Sequence, residues 1–78
     1  MRTTEVNESL IGKRVAGVFT AMEVTGTITR IVDDGFSKGV KIKLDNGVNW
    51  GNEIFHEYES TARVEDEWGN LKYTRIIN

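Results

Sequence analysis

Hydrophobic and polar residues alternate along the stretch GVKIKLDNG in the middle of the chain. Val40, Ile42 and Leu44 would share one face of a strand, and the lysines between them would share the other. The stretch therefore predicts a strand with one buried and one solvated face. The Asp-Asn-Gly sequence at 45–47 consists of residues that tolerate positive φ, so we expect the strand to end there in a turn.

Two earlier stretches, KRVAGVFT and EVTGTITRIV, are rich in β-branched residues and predict two more strands. Each has a glycine, Gly17 or Gly26, on its apolar face. Because glycine weakens the interior of a flat strand, we expect tight bends at both positions, where a sheet curls on itself. The sequence DDGFSKG that follows predicts a loop with one exposed aromatic residue, Phe36.

The segment NEIFHEYES breaks the alternation. Ile54, Phe55 and Tyr58 recur there at helical spacing. The segment therefore predicts one turn of helix near residues 53–58.

The two ends of the chain carry turn patterns as well. VNESLIG predicts a short helical turn that is capped by Asn7 and ended by Gly12. TARVEDEWGNLKYTRII predicts a hairpin whose turn is formed by residues 67–70.

The order of these elements resembles the small β-barrels of the Src homology 3-like, KOW and Tudor kinds. The resemblance covers residues 11–50 and lies in IGKRVAGVF, VTGTITRI and GVKIKLDNGV. Together with the pattern it implies a mostly β fold, in which five or six antiparallel strands form a strongly bent small barrel with one short helical turn. The segment NEIFHEYES and the acidic final hairpin depart from the minimal pattern.

Length and composition predict one small domain. We take residues 1–78 as a single unit, and the pattern leaves open whether residues 1–10 are ordered. The chain has no cysteine, so neither a disulfide nor a thiolate metal site supplements the core. Its apolar runs are too short to span a bilayer, and its N-terminus lacks the apolar stretch of a signal peptide. We therefore expect a cytoplasmic protein with no membrane partner.

The net charge of −2 is unevenly distributed. Residues 1–44 hold seven Lys or Arg and five Asp or Glu, whereas residues 45–78 hold three and seven. Proteins that bind nucleic acid nonspecifically are usually basic, because phosphate neutralisation supplies most of their affinity. The charge therefore makes nucleic acid the less favoured partner.

Both tryptophans lie in the tripeptide Trp-Gly-Asn. The flanking residues differ, so we interpret the two copies as turns and not as an internal repeat. We favour a place in the core for Trp50 and Phe55, because so small a domain needs large apolar side chains there, whereas the core and an exposed turn suit Trp68 equally. The resemblance implies that exposed aromatic residues between loops form a peptide-binding groove. The aromatic candidates for such a surface are Trp68, Phe36, Trp50, Tyr58 and Tyr73.

Two charged sets are further candidates for partner binding. The basic set consists of Arg30, Lys38, Lys41 and Lys43. Beside Phe36 it would form a modest phosphate-contacting patch, although we favour the ordinary solvated face of an antiparallel strand. The acidic set could imitate nucleic-acid charge and occupy a basic cleft on a partner. It consists of Glu65, Asp66 and Glu67.

Catalytic and metal-binding patterns are weak. The only histidine is His56, and none of the three serines lies in a Gly-x-Ser-x-Gly context that would supply a nucleophile. A metal site formed by His56 with Glu53, Glu57 and Glu59 is less favoured than a histidine among solvated glutamates. We therefore expect no enzyme, no metal and no cofactor.

These observations predict a non-catalytic binding module that acts through protein–protein interaction, of the kind of small acidic regulators or inhibitors found in phages and mobile elements. The partner is another protein or a second copy of the chain, since so small a domain gains stability from pairing. Two alternatives stay open. One is a nucleic-acid-binding small barrel that uses the basic set, and the other is an oligomer that sequesters a small anionic ligand.

Overall fold

The structure is a computed structural model that describes residues 1–65, 69–71 and 73–78. The fold is mostly β, as the sequence predicts. Two short 3₁₀ turns precede five strands. The 3₁₀ turns are Thr3–Glu5 and Glu8–Leu10, and the strands are β1 Arg14–Phe19, β2 Met22–Asp33, β3 Ser37–Trp50, β4 Glu53–Arg63 and β5 Arg75–Ile76.

The five strands form one antiparallel sheet in the order β4-β3-β2-β1-β5. The first four strands form a meander in which each strand pairs with the next along the chain. Within the described part of the chain no ladder joins β4 to β5, so these two strands are the edges of an open sheet. The prediction of five or six antiparallel strands is confirmed with five, whereas over the described residues the sheet does not close into the predicted barrel.

The core lies against the face of β3 that the alternation predicts to be buried. Val40, Ile42 and Leu44 are all buried, and the lysines between them are not. Val6 and Leu71 cover this face from outside the sheet, since both are fully buried in the same cluster. The cluster consists of Val6, Val15, Ile28, Val40, Ile42 and Leu71.

Both strand glycines lie where another strand approaches too closely to leave room for a side chain. A Cβ on Gly26 would lie 2.3 Å from the carbonyl oxygen of Lys43, which leaves no room for a side chain where β2 pairs with β3. A Cβ on Gly17 would lie 2.5 Å from the Tyr58 hydroxyl of β4, two strands beyond its neighbour β2. The close approach of β1 and β4 shows how strongly the sheet curls.

The predicted helical turn near residues 53–58 is wrong, because these residues belong to β4. They pair with β3 on both sides of a break in register, with Phe55 opposite Val48 and Tyr58 opposite Ile42. Pairing with β3 satisfies the backbone that a helical turn would otherwise have to satisfy locally.

The predicted turn at 45–47 is also wrong, because β3 continues through it to Trp50. The ladder to β4 shifts register between Lys43 and Val48, so the Asp-Asn-Gly sequence forms an irregularity within a strand. The Asp45 side chain does not cap a turn and instead accepts hydrogen bonds from Arg14 and Thr25.

The predicted C-terminal hairpin is wrong in its pairing. β4 ends at Arg63, and β5 pairs with β1, with Val15 opposite Ile76 and Ala16 opposite Arg75. Of the predicted turn, residues 67 and 68 lie outside the described residues.

The first ten residues pack against the C-terminal part of the chain. The predicted turn capped by Asn7 is confirmed, since the Ser9 amide donates to Asn7 Oδ1 at 2.9 Å. The Thr3 amide donates to the Gly69 carbonyl at 2.8 Å, and Val6 is buried in the core. No helix among the described residues is long and apolar enough to cross a membrane.

Candidate functional site

The end of the β3–β4 hairpin extends beyond the register break as a short two-stranded arm. We define the arm as residues 48–55, in which three residue pairs follow one another up to Trp50 opposite Glu53. Gly51 and Asn52 form the two-residue turn at its end, and Gly51 has a φ of 63°. Such turns need positive φ, which glycine adopts without steric cost. The interpretation of the first Trp-Gly-Asn copy as a turn is therefore confirmed.

The end of the arm is apolar on both of its faces. Trp50 is 60% exposed and Ile54 is 58% exposed. Because successive residues of a strand point to opposite faces, Trp50 shares a face with Val48 and Phe55, whereas Ile54 lies on the other face. The favoured place of Trp50 in the core is therefore wrong, and the turn brings two large apolar side chains into solvent together.

The base of the arm is fixed by aromatic contacts. The Phe55 ring meets Phe19 of β1 edge-on, with centroids 5.6 Å apart. The Phe19 ring in turn stacks on Tyr58, with centroids 4.8 Å apart. Phe55 is half-buried and Val48 is buried. Edge-to-face and offset stacked pairs of this kind stabilise beyond the area they bury, so the arm has a defined direction.

The other predicted aromatic residues do not join Trp50 in one groove. Phe36 is exposed in the loop before β3, at the opposite end of that strand from Trp50. Its exposure confirms the prediction for that loop. Tyr73 is exposed ahead of β5 and lines a separate groove of about 410 Å³ with Val18 and Glu23. Trp68 lies outside the described residues.

Tyr58 is half-buried and contributes to the interior more than to a surface. Its hydroxyl is buried beside Gly17 and has no hydrogen-bond partner among the described residues. Burial raises the pKa of the Tyr58 hydroxyl above its ordinary value. The Tyr58 ring supports Phe19, and through Phe19 it supports the arm.

The basic set is divided and partly neutralised. Lys41 Nζ lies 3.0 Å from a carboxylate oxygen of Glu57, and Arg30 lies 3.9 Å from Glu59. Strand alternation places Lys38 on the face of Val40, away from Lys41. Lys43 is exposed on the Lys41 face. The basic side chains of this face therefore lie among acidic ones and do not form a uniformly basic patch.

The acidic set is only partly described. Glu65 pairs with Arg63 at the end of β4. Asp66 and Glu67 lie outside the described residues.

The histidine region offers no compact ligand set. In an extended strand Glu53 and Glu57 are roughly 13 Å apart along the chain, because each residue rises about 3.3 Å. His56 lies beside Gly47 of β3. Over residues 1–65, 69–71 and 73–78, no group of three or more His, Cys, Asp or Glu is arranged to hold a metal ion.

The sequence contained a pattern that could have located the arm. A Gly-Asn pair between two strand-like runs is a known hairpin sequence, and Trp50 and Glu53 flank such a pair. The helical spacing around Ile54 predicts a helical turn there, and for that reason it does not indicate that Ile54 is a surface residue of a hairpin.

Comparison with curated proteins and with solved structures finds no match to this chain. The model of one family, a domain of unknown function named DUF7258, matches residues 1–76. The match spans nearly all of the sequence, so the chain belongs to this family.

Proposed function

We propose that this domain is a non-catalytic binding module that engages another protein through the end of the arm. The observation that carries the proposal is the joint exposure of Trp50 and Ile54 on either side of a two-residue turn. Tryptophan is enriched among the side chains that contribute most to protein interfaces. A hairpin end with an apolar residue on each face suits insertion between two walls of a partner.

The charge around the arm favours a protein over a nucleic acid. Glu53 lies directly opposite Trp50, and the cations Arg30 and Lys41 further along the sheet already face glutamates. A phosphate backbone would meet a carboxylate beside the one exposed aromatic ring of the arm, which is unfavourable. Nucleic acid is therefore the less favoured partner of this surface.

The proposal also keeps two finer expectations from the sequence. One is the Src homology 3-like type, which the strong curl of a five-stranded antiparallel sheet supports. The other is a cytoplasmic location, which the absence of cysteine is compatible with.

Site-specific photo-crosslinking in the cells that make the protein tests the proposal. A benzophenone amino acid in place of Ile54 should give one discrete adduct with a second protein. The same probe in place of Thr29, which is exposed on β2, is the matched control and should give none. A probe at Ile54 that reacts with nothing, or equally with many proteins, contradicts the proposal.

Substitution of the arm then measures its contribution. Trp50→Ala should weaken binding of the crosslinked partner by roughly 30-fold or more, because a central aromatic residue contributes 2 kcal/mol or more to an interface. Phe36→Ala is the control, since Phe36 is also an exposed aromatic residue but lies at the other end of β3. Loss of binding with Phe36→Ala and retention with Trp50→Ala would place the interface at the Phe36 end of β3 and would contradict the proposal.

A further inference from the structure

β4 is a long edge strand with an unpaired side. It runs from Glu53 to Arg63 and, over residues 1–65, 69–71 and 73–78, pairs with β3 alone. Among the described residues, no backbone hydrogen bond joins β4 to anything except β3. In the described part of the chain, the N–H and C=O groups that point away from β3 therefore pair with no other strand, and such groups of an edge strand can pair with another extended chain.

The middle of this edge carries two exposed glutamates that oppose lysines of β3. Glu57 is directly opposite Lys43, and Glu59 is directly opposite Lys41. The side chains of Glu57 and Glu59 remain 56% and 46% exposed. The sheet thus changes the sign of its charge from β3 to β4, and opposite charges in facing positions stabilise neighbouring strands.

A second copy of β4 does not continue this alternation. Antiparallel self-pairing centred on Glu57, Tyr58 or Glu59 sets a glutamate directly opposite a glutamate. Like charges in facing positions are destabilising. A strand with basic residues at alternate positions continues the alternation and pairs the open backbone groups at once.

We propose that the outer edge of β4 around Glu57 and Glu59 takes up an extended segment of the partner protein by strand addition, and that this segment carries Lys or Arg at alternate positions. The inference rests on the proposed function and assigns the chemistry of the partner. In strand addition the backbone hydrogen bonds supply affinity, and the alternating side chains supply specificity. The arm would engage the partner beside this strand.

Amide hydrogen exchange measured by NMR on the full chain tests the inference. The probe is an acetylated and amidated heptapeptide that alternates lysine and threonine, and the control peptide replaces each lysine with glutamate. At about ten times its Kd, the basic peptide should slow exchange of the outward β4 amides about tenfold. The acidic peptide should leave them unchanged. Equal effects of both peptides, or protection that falls outside β4, would overturn the inference.

Variants of the chain add a second measurement. The double variant Glu57→Gln with Glu59→Gln should weaken binding of the basic peptide at least tenfold and should reduce its dependence on salt. Glu23→Gln is the matched control, because Glu23 is also exposed and ion-paired but lies on β2 against Arg75. Equal losses from the two variants would show that net charge, and not this edge, holds the peptide.

The two proposals fail in different ways. A discrete adduct at Ile54 together with unprotected β4 amides would remove strand addition and leave the binding module. Protection of the β4 amides in the free protein that grows with its concentration would show a second copy on this edge, which contradicts the inference. Strand addition is supported only when the basic peptide alone protects the edge.

Discussion

Asp45 of β3 and Arg14 of β1 form a two-pronged ion pair, although β2 lies between their strands. Two threonines of β2 complete it. Thr25 donates to the Asp45 carboxylate at 2.6 Å, and the Arg14 guanidinium donates to Thr27 at 3.0 Å. The pair ties three strands together at the point where β3 loses its regular pairing with β4.

Substitution of Asp45 by asparagine should lower the stability of the domain. It should also make that stability less sensitive to a fall in pH. The hydrogen bonds and charge of Arg14, with the hydrogen bond from Thr25, hold the pKa of Asp45 well below its ordinary value of about 3.9. The contribution of the pair is therefore present above the unfolded-state pKa and is lost as the pH falls toward the folded-state pKa. Asp45→Asn should lower the Tm by a few degrees at pH 7 and by much less at pH 2.

Thermal unfolding followed by circular dichroism between pH 2 and 7 measures this effect. Glu8→Gln is the control, since Glu8 is exposed and forms no ion pair among the described residues. If the Tm difference between Asp45→Asn and the wild type were the same at both ends of the pH range, the ion pair would not be its cause.

Ile42 should be a much larger contributor to stability than Ile54. Ile42 is fully buried in the core, whereas Ile54 is more than half exposed at the end of the arm. Ile42→Ala should reduce the free energy of unfolding by about 2–5 kcal/mol, because it removes buried methyl groups and leaves a cavity. Ile54→Ala should change it by no more than about 0.5 kcal/mol. Urea unfolding of the two variants measures both free energies of unfolding, and similar decreases would contradict the assigned burial.

The features of the fold that the sequence predicts correctly are those that depend on residues close together in the chain. The alternation of Val40, Ile42 and Leu44 correctly gave the buried face of β3, since period-two alternation is a local property of a half-buried strand. The pairing of β5 with β1 depends on residues about 60 positions apart, Val15 and Ile76 among them. No local pattern specifies such a contact, so the sequence predicts a hairpin within the last segment in its place.

The helical spacing of Phe55 and Tyr58 has a structural cause that is not a helix. Both rings contact Phe19, although they are three residues apart on a strand. The register shift of β3 between Lys43 and Val48 lies between their two pairs, and the burial pattern of β4 changes phase there. A break in strand register can therefore place apolar residues at helical spacing. For this reason the sequence predicts neither the arm nor the exposure of Trp50.

Gly26 should not tolerate a side chain. A Cβ there would lie 2.3 Å from the Lys43 carbonyl oxygen, and backbone cannot rotate away as a side chain can. Gly26→Ala should therefore cost about 3 kcal/mol, at the upper end for overpacking. Gly35→Ala is the comparison, because Gly35 has open space around it and a φ of 87°, so only backbone strain of about 1 kcal/mol applies. Urea unfolding that ranks the two variants in the reverse order would contradict the close approach of β3 to Gly26.

Tyr58→Phe should stabilise the domain. The variant keeps the ring that stacks on Phe19 and removes a buried hydroxyl without a hydrogen-bond partner among the described residues. An unsatisfied buried hydroxyl costs about 1 kcal/mol or more, so the free energy of unfolding should rise by about that amount. Ser60→Ala is the contrasting variant and should lower the free energy of unfolding. It removes a 2.7 Å hydrogen bond and leaves the buried Thr74 hydroxyl without that bond.

The pH dependence of stability in alkaline solution is a second test of the Tyr58 hydroxyl. Burial raises the folded-state pKa of Tyr58, so above about pH 10 the unfolded chain releases this proton before the folded one does. Stability then falls as the pH rises, since the folded state binds more protons. Urea unfolding between pH 8 and 11 should show this fall in the wild type and less of it in Tyr58→Phe. A variant that is less stable than the wild type at pH 8 would mean that the hydroxyl has a partner, and the contact with Gly17 would then need another explanation.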